Sequence, residues 1–211
     1  EIPLRLVGSE MCIRDSSTSD VIFYISIGAF MEEKYNYYND DFVICRASMD
    51  DAGLIYDMMM EVYSGLEDKS VLVCGDIDYV RRNIQDMGFA LIAYHKESMT
   101  MEQAGIFVFE YPGESEDNLG NDIGLTKEEL LKVVHMDTVV VRSKFRGHHL
   151  QKRMLEEGER QIDNNRYRYL MATAAPYNKP SLNTFLGSGY RIMKVKKKYG
   201  GVARAILLKE I

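Results

Sequence analysis

Residues Val133 to Val141 form the most β-prone run of the chain, and they lead directly into a basic turn: Arg142, Ser143, Lys144, Phe145, Arg146, Gly147, His148 and His149, then Leu150. A strand that turns into a helix leaves free backbone N–H groups at the helix N-terminus, where the partial positive charge suits an anion. Gly147 permits close approach of backbone to ligand, and Lys144, Arg146 and His148 add charge, so a pyrophosphate fits the pattern. A solvated basic edge on an ordinary strand–helix turn fits the local pattern equally well. Two polar residues on the same strand, His135 and Asp137, are spaced to share a face with Val139 and Val141, because strand side chains alternate. An imidazole and a carboxylate on one face are suited to proton transfer. The plainer alternative for His135 is a half-buried histidine bonded to a neighbour. A third segment, Asn178-Lys179-Pro180-Ser181, reads as a helix start with Asn178 as N-cap.

The elements that must hold these residues follow from periodicity. Phe42 to Ala47 reads as a strand after a polar turn, and Asp50 or Asp51 caps a helix with Leu54, Ile55, Met58, Met59 and Val62 on one face. A second helix runs from about Asp76 to Met87 and stops at Gly88. Phe89 to Tyr94 and Ala104 to Glu110 make a hairpin around the polar Lys96–Gln103 segment. The Gly- and Asp-rich stretch from Pro112 to Gly124 is a long loop, and Thr126 to Glu129 is a capping box for a short helix ending near Leu131. After the 133–141 strand come a helix from Gly147, a strand at Tyr169–Ala174, a helix at Pro180–Leu186, and a closing hairpin of Gly189–Val195 with Val202–Leu208.

In that order the chain resembles the GNAT superfamily of acyl-CoA-dependent N-acyltransferases over about residues 42–208. The family signature R/Q-x-x-G-x-G/A meets Lys144, Gly147 and His149, within the variant x-x-R-G-x-x-L formed by Phe145, Arg146, Gly147 and Leu150. A second family motif, N-x-x-[AS] followed by G-[FY], meets Asn178, Ser181 and Gly189-Tyr190. The resemblance implies an α/β (α+β) fold with a mixed, mostly antiparallel central sheet of six to seven strands. About four helices would flank that sheet, which would splay between its fourth and fifth strands. It also implies acetyl-CoA as donor substrate and no metal. Val139, Val140 and Val141 would bind the pantetheine arm and stabilise the oxyanion. Lys144 to Leu150 would hold the pyrophosphate, with Asn178 and Ser181 orienting the arm or a water. His135 and Asp137 are the candidate bases, and a primary amine of a small molecule or peptide is the acceptor. Two departures are visible. His149 replaces a Gly or Ala, and Phe185 stands where the family's acid is usually tyrosine. The acid role is thus vacant or filled by Tyr177, Tyr190, Tyr199 or water. The alternative reading is a catalytically weak acyl-CoA-binding module of the same fold, acting as sensor or interaction partner.

Composition sets the outer bounds. With 211 residues, 46% of them hydrophobic and 27% charged, the sequence suits one globular domain with a sizeable core. A net charge of −6 gives no overall basic footprint, so no nucleic-acid partner is expected. Cys12, Cys45 and Cys74 lack metal-ligand spacing and read as reduced thiols of a cytoplasmic protein. No apolar run is long enough to span a membrane. Residues 1–16 resemble a translated sequencing adapter, and residues 1–30 are expected to be a non-native or untranslated leader, with 31–211 as the domain. Glu114, Glu116, Asp117 and Asp122 crowd the long loop, which either attracts a cationic acceptor or is simply solvated. Lys194, Lys196, Lys197 and Lys198 read as an edge-strand guard. The sequence leaves monomer and homodimer open.

Overall fold

Seven strands alternate with helical segments along residues 41–97 and 100–211, the residues described by the computed structural model. They belong to the unit Asp41–Ile211. The expected leader and the start at Met31 lie outside the described residues. Strand β1 is Phe42–Arg46, and helix α1 is Ala52–Ser64. Helix α2, Ile77–Arg82, is capped by the Asp76 side chain and widens to a π-turn over Asn83–Met87. Strands β2, Gly88–Glu97, and β3, Thr100–Glu110, follow. Two single-turn helices, α3 at Gly120–Ile123 and α4 at Lys127–Leu130, precede β4, Val133–Val141. The remainder is α5 at Leu150–Gln161, β5 at Tyr169–Ala174, α6 at Lys179–Gly187, β6 at Arg191–Lys198 and β7 at Val202–Glu210.

The sheet order is β1-β2-β3-β4-β5-β7-β6, antiparallel everywhere except the β4–β5 pair. That pair is short. It runs from Val133–Tyr169 to Met136–Ala172 and stops, although β4 continues to Val141 against β3 and β5 continues to Ala174 against β7. The sheet therefore opens between β4 and β5, as the sequence reading expected.

Core packing explains which face each helix covers. Leu150, Met154 and Leu155 of α5 join Phe107, Phe109, Val134 and Met136 on one side of the sheet. Gly158 lets α5 close on β3, because a Cβ there would stand 2.0 Å from the Phe109 ring. Ile55, Met58 and Met59 of α1 and Val80 of α2 cover the other side against Ile92, Ile106, Val108 and Val140. Fully burying each such side chain contributes about 1.5–3 kcal/mol.

Two sequence expectations need correction, the hairpin loop and the start of α5. The β2–β3 hairpin absorbs much of the polar Lys96–Gln103 segment, because cross-strand pairing extends beyond the apolar residues. Of the six helices among the described residues, four are longer than a single turn, in keeping with the expected number. Helix α5 begins at Leu150 and not at Gly147, because Gly147 and His149 both have positive φ, 89° and 57°.

Candidate functional site

A β-bulge sets the site. Val108 pairs with Thr138 and Phe109 with Met136, leaving Asp137 as an extra residue on β4. An extra residue shifts the phase of alternation beyond it. Val134 and Met136 face the α5 side, and so do Val139 and Val141, whereas Val140 joins the α1–α2 side. The expectation that His135 and Asp137 share a face with Val139 and Val141 is thereby overturned. His135 and Asp137 keep each other's company, beside Glu110, on the opposite face.

His135 is buried and both ring nitrogens are engaged. Its Nε2 accepts from the Leu119 N–H at 3.0 Å, so the proton resides on Nδ1, which donates to Glu110 Oε2 at 3.0 Å. Such a ring ties the 112–131 loop to β3 and β4 and has no nitrogen left for a substrate. Asp137 is the opposite case. Its carboxylate receives hydrogen bonds from the Tyr79 hydroxyl and from Thr138 Oγ1, the latter at 2.8 Å. The residue is exposed, although protein atoms are dense around the carboxyl group. That desolvation is the main reason its carboxyl lies above the ordinary range. The Glu110 charge adds to the rise, while Tyr79, His135 and Thr138 oppose it. Burial, and then the Asp137 charge, push the Tyr79 hydroxyl well up, so Tyr79 stays a donor. Glu110, His135 and Asp137 bring three potential metal-ligand atoms within 4.8 Å of one another, but His135 would have to surrender one of its two bonds to serve.

The backbone of β4 supplies a second feature. Arg142 N–H bonds to the Ala104 carbonyl at 2.9 Å. Backbone groups alternate in direction along a strand, so Val140 also points at β3, while Val139 and Val141 point into the opening where β5 has turned away. The Arg146 Nε donates to the Val141 carbonyl at 3.4 Å. Beyond it the turn of Ser143–Phe145 buries Phe145 against Phe42 and leaves Arg146, Gly147, His148 and His149 exposed.

Helix α5 starts on His149 without a side-chain cap and without an acidic residue in its first turn. Its first bond is Arg153 N–H to the His149 carbonyl, so the N–H groups before it face outward. Lys144 is ion-paired with Glu102, His148 packs on Phe42, and Arg142 is held by Glu61 at 2.7 Å. Asn178 caps α6 through Ser181 N–H, and Ser181 Oγ accepts from Gln151 Nε2 at 3.1 Å, which joins the starts of α5 and α6.

His149 occupies a left-handed position that favours glycine, although histidine tolerates it better than most residues. His149→Gly is expected to stabilise the protein by roughly 0.5–1 kcal/mol, measured by urea unfolding. A loss of stability would mean that the imidazole makes a contact of its own.

The tyrosines resolve as follows. Phe185 is buried in the core and packs edge-on against Tyr190. Tyr190 donates to Glu159 at 2.9 Å, far from β4 in its bonding, and Tyr177 pairs with Ser70 Oγ at 2.5 Å. Tyr199 lies at the β6–β7 tip, near Thr173 and within reach of the Asp137 charge. Sequence reasoning missed Tyr79, Thr138 and Glu110 as parts of the site. Only Glu110, a lone acid closing an apolar strand, left a trace that could have been followed.

No protein-family model and no curated protein matches the sequence. Solved structures do. A chain of the NatC complex, in a structure with Gag peptide and CoA, superposes with a TM-score of 0.62 at 15% identity over 82% of this chain and 99% of that one. Arabidopsis thaliana NAA60 with acetyl-CoA gives 0.62 at 10% identity, covering 81% and 99%. A ribosomal-protein-alanine N-acetyltransferase from Brucella melitensis gives 0.57 at 14%, covering 80% and 99%. The chain has the GNAT fold.

Proposed function

We propose that this protein is an acetyl-CoA-dependent N-acetyltransferase that acylates a primary amine of a small molecule or peptide. The observation that carries the reading is the early end of the β4–β5 pairing beside the uncapped start of α5. Backbone on Val139 and Val141 that makes no pairing with β5 meets a ready anion site at Arg146–Leu150 on the same edge of the opening. A pantetheine arm needs the first, and a pyrophosphate needs the second. Arg146, Gly147, His148 and His149 face solvent there, with Lys144 and Phe145 shaping the turn and Asn178 and Ser181 fixing α6 behind it.

The roles of the polar residues follow from their partners. Asp137 is the base, directly or through a water, since its raised carboxyl is a better proton acceptor than an ordinary aspartate. Tyr79 and Thr138 aim it. His135 positions Glu110 and the Leu119 backbone instead of moving protons. Bound acetyl-CoA would supply the thioester. The amine lone pair attacks its carbonyl carbon, the carbon–sulfur bond breaks, and the nitrogen's proton passes to Asp137. The Val139 N–H is placed to stabilise the oxyanion. No tyrosine need protonate the sulfur, since a thiolate of pKa about 8.5 can leave unaided.

Calorimetric titration of acetyl-CoA, followed by an amine screen with thiol detection, tests the proposal. Micromolar binding with turnover supports it. Binding without turnover would favour the coenzyme-binding module, the reading that Phe185 supports. Absence of binding would remove both.

A further inference from the structure

Among the described residues, one buried cation makes no close ion pair, the Asp68 carboxylate acting on it only at longer range. Arg204 of β7 is 3% exposed, and its Nη2 donates to the Ser70 carbonyl at 2.6 Å. Its Nη1 is buried with no hydrogen-bond partner. A buried guanidinium left half-satisfied is destabilising, by more than a neutral group would be. Its location gives a reason for it. Arg204 lies on the same face of β7 as Ile206 and Leu208, which is the face carrying Asp137. Ile206 pairs with Thr173, the β5 residue just past the last β4–β5 pair, and Asp137 is the β4 residue just past that pair. Asp137, Thr173 and Arg204 therefore line one path across the face, from the opening of the sheet to β7.

Tyr199 feels both charges. Its ring lies 5.7 Å from the Arg204 guanidinium carbon. Burial raises the Tyr199 hydroxyl, Asp137 pushes it further up, and Thr173 and Arg204 pull it down. Tyr199 is 43% exposed, whereas Arg204 behind its ring is buried. It sits at a hairpin tip with φ 50°, followed by Gly200 and Gly201 at 79° and 105°.

We propose that Arg204 is a specificity-determining residue that receives a carboxylate of the acceptor, so that the acceptor is an amino carboxylate, its amine at Asp137 and its carboxylate at Arg204. This rests on the acetyltransferase reading above and narrows its substrate class. A protein N-terminus offers no carboxylate beside its amine unless an acidic side chain follows it.

The test compares the standard amino acids and β-alanine with their primary amides as acceptors, together with dipeptide amides carrying a second-position aspartate or glutamate. The wild-type protein is expected to acetylate its best free acid at least tenfold better, in kcat/KM, than the matching amide. Arg204→Gln should erase that preference through KM, and Arg204→Lys should restore part of it, with acetyl-CoA affinity unchanged in both. Preference for the acidic dipeptides would place the same carboxylate chemistry on a peptide acceptor and overturn the small-molecule form. Amides acetylated as well as acids, or a preference that survives Arg204→Gln, would reduce Arg204 to a structural residue. If no amine is acetylated, the enzymatic reading fails. Calorimetry of the same acids and amides on CoA-loaded protein then decides the Arg204 proposal separately: equal binding overturns it, and acid-selective binding lost in Arg204→Gln sustains it. Should Arg204→Gln not fold by circular dichroism, the wild-type preference and the Arg204→Lys variant carry the decision.

Discussion

Replacing Gly147 with glutamate is expected to abolish acetyl-CoA binding, carrying Kd from the micromolar range to beyond millimolar, a loss of more than about 4 kcal/mol. Two effects act together. Gly147 has φ 89°, where an L side chain is strained by about 1–2 kcal/mol. The new carboxylate would also stand beside the free N–H groups of α5 and either occupy them itself or repel the incoming phosphates. The alanine variant separates the effects. A Cβ at Gly147 meets no atom within 4 Å, so Gly147→Ala should lose some stability yet retain most of its affinity. Calorimetry on both variants checks the prediction. Unchanged affinity in Gly147→Glu would remove this turn from the donor site.

Asp137→Asn should show the opposite pairing of effects, slower and more stable. Without a carboxylate, the acyl-transfer rate is expected to fall by about 10²–10⁴-fold, the usual share of a general base, with coenzyme affinity retained. The stability sign follows from the raised carboxyl. Below the unfolded value of 3.8 the aspartic acid is neutral in both states, and the two proteins should be equally stable. As pH rises through the folded value, the wild type must carry a charge that its packed surroundings and Glu110 disfavour and the amide avoids, and its stability falls relative to the variant. The Tyr79 hydroxyl can still donate to the asparagine carbonyl. Thermal melts of both proteins from acid to neutral pH, alongside initial rates, provide the measurement. A wild-type rate would exclude Asp137 as the base. His135→Ala is distinguishable from it, because stability should drop when the Leu119 N–H and Glu110 lose their partner.

Much of the fold was written in local pattern. The limits of β4 and β5 match the sequence reading, because nine and six consecutive β-prone residues leave little choice of period. The Thr126–Glu129 capping box and the Asn178 cap are bonds between residues three apart, so the sequence displays both partners at once. The glycine-containing turn after Val141 was legible for the same reason, although the helix start was misplaced by three residues, since backbone dihedrals at Arg146 and His149 leave no mark in residue type.

What the sequence by itself determined about this protein is therefore its strands, its caps and the basic turn after Val141, each set by interactions within a few residues. The rest was decided by strands meeting one another. The Asp137 bulge exists only in the register of β3 against β4, and it sends His135 and Val139 to opposite faces, which alternation along one strand could not foresee. The assembly of Tyr79, Glu110 and Asp137 and the unpaired Arg204 depend on contacts between residues 25 to 134 positions apart. Such partners share no local period, and only the closing of the sheet brings them onto one of its faces.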